Sequence, residues 1–223
     1  MCINFFSIML QPIISELSLS KIVLASGSPR RKEILKSTGL IFNITPSNFD
    51  ENLDKSQFSS PAEYVKETAR RKTQEVAERL SNSGSPPSLI IGADTVVALD
   101  KKIMEKPADK SDAIDMLTKL SGRTHSVYTG VVLNKAFQDG THQQVIFHEA
   151  TDVKFGNLPA DVIKSYVNTG EPMDKAGGYG IQALGGTLVE GIHGDYYNVV
   201  GFPLHRFCIE MLKLYERKGN TVS

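Results

Sequence analysis

Arg30 and Arg31 follow Ser26-Gly27-Ser28-Pro29, directly after the apolar run of residues 21–25. A helix that starts at such a loop turns free main-chain N–H groups and the positive end of its dipole toward an anion. Ser26 and Ser28 add hydroxyl donors, and two guanidiniums add planar forks suited to phosphate. Capping by Ser28, with Pro29 at the first helical position, accounts for those two residues without any ligand. It does not account for Arg30-Arg31, because cations in a first turn oppose the dipole. The loop is not of the Walker type, since no Gly-Lys-Ser/Thr follows it.

Asp94 is the one acid in the apolar run of residues 89–99, with Thr95 beside it. An ionised carboxylate is costly to bury without a partner. Asp94 is therefore expected at a strand edge facing a cleft, paired with a cation or bound to a metal. It would serve as general base on a water or as an oxygen ligand to Mg²⁺. Lys72 falls on the apolar stripe of Val65, Ala69, Val76 and Leu80. Taken alone it reads as a lysine that snorkels to water. Glu51 and Lys106, each taken alone, read as loop charges. Between residues 170 and 182 four glycines precede Gln182. Glycines let backbone approach a ligand, and an amide offers a base edge both a donor and an acceptor. A cluster of turns would explain the glycines equally well. The five histidines have no metal-type spacing, and no nucleophile elbow is present.

These groups need elements to hold them. A short buried strand at 21–25 leads into a helix at 30–38 that Gly39 ends. Residues 41–45 alternate as a second strand, 50–60 form a polar loop, and 61–80 a long amphipathic helix. A linker or loop at 81–88 precedes the strand at 89–99. Helices are predicted at 111–120, 159–167 and 203–215. A strand pair is predicted at 127–134 and 145–155, joined by a polar turn at Asp139-Gly140. Residues 181–192 and 196–200 read as late strands or loops. Alternating strands and helices give the α/β class, and the strand pair makes the sheet mixed rather than purely parallel.

The whole chain sets outer limits. Its 223 residues are 40% apolar, with 25 Lys+Arg against 25 Asp+Glu. A neutral chain lacks the field needed to coat a nucleic-acid polymer or an anionic membrane, and the absence of Trp weakens an RNA-binding reading further. Cys2 and Cys208 cannot make a disulfide framework, which suits a reducing, cytoplasmic setting. Residues 1–20 read as an extension before the fold, without the features of a secretory signal. Residues 21–216 read as one domain and 217–223 as a tail.

Several stretches together resemble the Maf family of nucleoside-triphosphate pyrophosphatases. They are LASGSPRRKEIL at 24–35, IGADTVV at 91–97, EKP at 105–107, LSGRTHSVYTG at 120–130, YVNTGEPMDKAGGYGIQALGG at 166–186 and VVGFP at 199–203. They also resemble the Maf-type N-terminal domain of acetylserotonin methyltransferase-like proteins, although no methyltransferase region is present. The resemblance implies a mixed central sheet flanked by helices, with two lobes around a deep nucleotide-binding cleft, a fold shared with inosine triphosphatases. It implies hydrolysis of dTTP and UTP, or modified pyrimidine nucleotides, to monophosphate and pyrophosphate. That activity would keep non-standard nucleotides out of nucleic acid. A divalent cation, Mg²⁺ or Mn²⁺, and a homodimer are implied as well. Ser26, Arg30 and Arg31 match the family's phosphate loop. Glu51, Lys72, Asp94 and Lys106 match its charged residues, with Asp94 the proton acceptor. Arg30, Thr95 and Gln182 match positions tied to substrate choice. The subgroup acting on 7-methyl-GTP carries Trp, Gln and Glu there. Glu51 and Asp94 would hold the metal, and which of them is base and which is ligand stays open. A non-catalytic nucleotide sensor acting on cell division is the competing reading. The site would carry four cations (Arg30, Arg31, Lys72, Lys106) against two acids, a surplus of about two charges.

Overall fold

The computed structural model describes residues 8–84, 86–137 and 140–216. Cys2, Asp139 and the tail at 217–223 lie outside them. The order is α1 (Ile14–Leu19), β1 (Ile22–Leu24), α2 (Pro29–Ser37), β2 (Asn43–Ile44), α3 (Pro61–Asn82) and β3 (Leu89–Leu99). There follow β4 (Lys102–Met104), α4 (Lys110–Leu120), β5 (Thr124–Ala136), β6 (His142–Phe155), α5 (Ala160–Asn168), β7 (Val189–His193), α6 (Tyr196–Val200) and α7 (Leu204–Tyr215).

The sheet runs β2-β1-β3-β5-β6-β7, with β4 on β3. β1 is parallel to β2 and β3, and the remaining pairs are antiparallel. The sheet is therefore mixed, as the strand pair implied. Two main apolar cores lie along β3. One gathers Leu24, Ile91, Phe202, Phe207 and Met211, and the other gathers Val97, Leu117, Phe155 and Tyr179.

Two sequence expectations are corrected. Residues 196–200 form the helix α6 rather than a strand or loop, because Asp195 caps the segment through Tyr197 N–H at 2.8 Å. The segment before residue 21 does not simply precede the fold. From Ile8 onward it is helical, and Leu10, Ile13 and Leu17 are buried with α7 residues in the first core. Leu10 is fully buried, a contribution of about 1.5–3 kcal/mol for a side chain of that size.

The sheet also dictates where a cleft can open. Along β3, β1 pairs only with Leu89–Ile91, and β4 joins the same side only from Val97. The stretch of β3 between them, which includes Asp94, has no strand on that side. Helix α3 crosses it at unusually short range. A Cβ on Gly92 would stand 1.9 Å from Thr73 Oγ1, and one on Gly130 would stand 2.5 Å from the Val65 carbonyl. These two glycines let α3 lie close enough for Lys72 to reach β3.

Candidate active site

The gap in the sheet opens into a cleft of about 860 Å³. Ser26, Ser28, Arg30, Arg31, Glu51, Lys72, Asp94, Thr95, Lys106 and Gln182 all line it. Every site residue read from the sequence is thus brought to one cavity.

At its floor the side chain of Asp94 is 9% exposed and that of Lys72 10%. Lys72 Nζ donates to Asp94 Oδ1 at 2.8 Å and lies 2.6 Å from Glu51 Oε2. Lys72 therefore does not snorkel. It bridges two carboxylates, one buried and one half-exposed. Burial pushes the Asp94 carboxyl above its ordinary value, against the opposing charges of Lys72 and Arg31. Each carboxylate uses one oxygen on Lys72. The remaining oxygen of each suits a hard divalent cation that takes one or two carboxylates plus substrate phosphates.

The two arginines have separate roles. Arg31 is buried, 9% exposed, and most of its donors are taken by the protein. Its Nη1 donates to Ser26 Oγ at 3.0 Å and to the Ala93 carbonyl at 2.9 Å. Its Nη2 donates to Thr95 Oγ1 at 2.9 Å and its Nε to the Gly201 carbonyl at 3.0 Å. One of its five N–H groups remains. Ala25 N–H donates to the Ile91 carbonyl, the last rung of the β1–β3 ladder. Arg31 supplies the next rung, bolting the Ser26 loop to β3 beside Asp94. Burial lowers the guanidinium's pKa, and the charges of Asp94 and Glu51 oppose that. Arg30 is the more exposed arginine and faces Asp174 at 3.5 Å across the cleft. Ser28 caps α2 through Arg31 N–H at 3.5 Å. Ser26 Oγ accepts from Arg31 and from Ser28 N–H, leaving its own proton to offer. Thr95 Oγ1 also lies 2.9 Å from the buried Thr129 Oγ1. Lys106 is exposed, and among the described residues no carboxylate holds it.

The sequence reading assigned no role to Glu105, Asp174 or Lys175. Glu105 Oε1 accepts from Tyr64 Oη–H at 2.6 Å, and Oε2 pairs with Lys55 at 2.7 Å. The signal was available, since a tyrosine on the buried face of a helix needs a partner for its hydroxyl. Lys175 Nζ donates to the Glu171 carbonyl and to Asp174 Oδ1, both at 2.6 Å. With these and Asp50, the lining holds five cations (Arg30, Arg31, Lys72, Lys106, Lys175) and five carboxylates (Asp50, Glu51, Asp94, Glu105, Asp174). The expected surplus of two positive charges is therefore replaced by an even balance. The glycines before Gln182 also differ from expectation. A Cβ on Gly177 would meet Val97 at 2.6 Å, and one on Gly180 would meet Lys175 Cε at 2.6 Å. There the close approach is to the protein itself.

Proteins of known description are similar to most of this chain. A protein from Homo sapiens described as a probable bifunctional dTTP/UTP pyrophosphatase/methyltransferase protein is 53% identical over 209 residues. That match takes in 92% of this chain but 34% of the human protein, so the chain spans about a third of that relative's length. A dTTP/UTP pyrophosphatase of Clostridium perfringens (strain 13 / Type A) is 49% identical, across 83% of this chain and 93% of its own. One from Symbiobacterium thermophilum is 44% identical, across 87% and 93%. Among solved structures, a HAM1 protein from Coxiella burnetii covers 87% of this chain and 99% of that one, at 15% identity and a TM-score of 0.49. That likeness is too distant to inform the site. The model of the Maf-like protein family matches residues 21–214, and with it the loop, the floor and the glycine-rich wall of the cleft. The chain belongs to the Maf-like protein family.

Proposed function

We propose that this chain hydrolyses dTTP and UTP, and modified pyrimidine triphosphates of the same shape, to the nucleoside monophosphate and pyrophosphate. The observation that carries the reading is the buried Asp94 carboxylate at the cleft floor, held at 2.8 Å by Lys72. A carboxyl raised by burial is a better base near neutral pH, and a positioned base contributes about 10²–10⁴-fold to rate.

Asp94 accepts a proton from the water that attacks the α-phosphorus. Lys72 holds Asp94 and Glu51 in register. Arg30 and Lys106 meet the phosphates, with Arg30 exchanging Asp174 for substrate. Ser26 and the start of α2 add donors to the same end. Thr95 and Gln182 face the nucleoside. Glu51 and Asp94 would hold the Mg²⁺ or Mn²⁺, which supplies positive charge to the phosphate oxygens and the leaving pyrophosphate. An evenly charged cleft fits that reading, because a triphosphate brings about four negative charges that the lining does not offset. Residues 21–216 carry the whole site in this reading, and the helical segment from Ile8 packs into the same domain. A homodimer in the cytoplasm is consistent with it, and light scattering checks the dimer. Among the described residues no helix is long and apolar enough to cross a membrane.

Pyrophosphate release from UTP and dTTP by purified protein with Mg²⁺ or Mn²⁺ tests the activity. Asp94→Asn should lower turnover about 10²–10⁴-fold with the fold intact. Wild-type rates in that variant would refute the assignment of Asp94. Activity confined to 7-methyl-GTP would refute the substrate class.

A further inference from the structure

No step above uses the carboxylate of Glu171, yet it organises the turn that presents Gln182. Glu171 opens the 3₁₀ turn Glu171–Asp174, and its side chain lies back across the glycine-rich segment. Its Oε1 accepts from Tyr166 Oη–H at 2.9 Å and from Gly185 N–H at 3.0 Å. Its Oε2 accepts from Leu184 N–H at 3.1 Å. Tyr166 Oη in turn accepts from Gly180 N–H at 3.2 Å. Main-chain amides on both sides of Gln182 therefore converge on two side chains. Gln182 itself is exposed to the cleft, and among the described residues nothing holds its amide. Its place is set by the turn alone.

We propose that Glu171 is a positioning residue for base selection. It fixes the Gln182 turn against the nucleotide base without touching the substrate. The proposal rests on the pyrimidine-triphosphate reading above. A carboxylate suits this role because both of its oxygens accept, whereas a neutral amide must turn an NH₂ toward one set of donors.

Glu171→Gln keeps the size and breaks that match. Its kcat/KM ratio for UTP over GTP should fall about tenfold, the effect of losing a hydrogen bond to a charged acceptor. The loss should appear more in KM for UTP than in kcat. By calorimetry UMP should bind about tenfold more weakly, while pyrophosphate, which has no base for Gln182 to meet, should bind as before. Tyr166→Phe removes the anchor of Gly180 and should shift the same ratio in the same direction, about threefold. It keeps the test open if Glu171→Gln does not fold. A merely structural role would lower Tm and scale UTP and GTP turnover together. An unchanged UTP-to-GTP ratio with intact UMP binding, in whichever variants fold, overturns the proposal. A wild-type protein that releases no pyrophosphate from UTP, or does not prefer UTP to GTP, overturns the nucleotide reading as well.

Discussion

The two walls of the cleft are held in place by different physics. The wall formed by α2, α3 and β3 is fixed by charge: Lys72 between Asp94 and Glu51, and Arg31 on the open edge of β3. The wall formed by residues 170–186 is fixed by main chain, with glycines packed against Val97, Lys175 and Tyr166 and amides tied to Glu171. Removing a charge should damage the first wall, which also relies on close packing at Gly92, and adding a methyl group should damage the second. Arg30 and Arg31 show a similar division between adjacent residues. Arg30 meets Asp174 across the cleft, while Arg31 uses four of its five N–H groups as a bolt.

The largest effect is expected at Lys72. Lys72→Met leaves the buried Asp94 without its partner. Breaking one side of a buried pair costs about 3–5 kcal/mol, and the half-exposed Glu51 adds little to that. Burial already raises the Asp94 carboxyl's pKa, and the lost ammonium opposed that rise. The variant's folded state therefore takes up a proton more readily than the unfolded chain as pH falls, so acid should recover part of the loss. Urea denaturation at neutral pH and near pH 5 measures both. A deficit of under about 1 kcal/mol at neutral pH would mean that charge does not hold this wall.

His125 tests the other wall. It lies behind the glycine-rich segment, with Nε2 2.8 Å from Tyr179 Oη, packed edge-on to Phe155 and Tyr179. Nδ1 has no partner among the described residues. Burial pushes its pKa from 6.5 down to about 4. The folded state keeps it neutral while the unfolded chain takes up a proton below its own pKa. Its contribution is thus whole above about pH 6.5 and is lost as pH falls toward 4, by roughly 2 kcal/mol at pH 5. The Tm of wild type should fall from pH 7 to 5 more steeply than that of His125→Gln. Equal slopes would show that this wall does not depend on a neutral His125. His148 is also lowered by burial, but both proteins contain it, so the difference belongs to His125.

The first wall was much easier to read from sequence than the second. Asp94 in an apolar run and Lys72 on an apolar stripe each violate burial rules, and such violations are visible one residue at a time. Their joint solution, a Lys72 bridge, needs α3 and β3 placed so that Lys72 Nζ and Asp94 Oδ1 meet at 2.8 Å, and no periodicity encodes that placement. Arg31 was legible as an anomaly but not as a bolt. Its role depends on β1 ending at Leu24 and leaving a bare carbonyl on Ala93. The second wall has no out-of-place charge. Glu171 looks like any loop acid until Leu184 and Gly185 fold back on it. Residues 196–200 were misread because a short run of Tyr, Asn and Val suits either a strand or a helix, and only the cap at Asp195 decides between them.

A pair of glycine substitutions gives the finest comparison. A Cβ on Gly185 would stand 2.5 Å from Tyr166 Oη and 2.7 Å from the Gly180 carbonyl. The second of these atoms is backbone and cannot swing aside, so Gly185→Ala should cost about 1–3 kcal/mol as overpacking. A Cβ on Gly27, in the loop before α2, would find its nearest neighbour, Pro46 Cγ, at 3.6 Å, an ordinary contact. Gly27→Ala should therefore change stability by less than about 0.5 kcal/mol. Its value lies in the second readout. If turnover falls in Gly27→Ala while Tm holds, the missing side chain makes room for a phosphate, because no protein atom needs that space. If both hold, the loop binds its anion without close approach at residue 27, and the donors are left to Ser26 and Arg30. A Tm that drops as far as in Gly185→Ala would instead mean that main-chain packing governs both walls, and the contrast between them would fail.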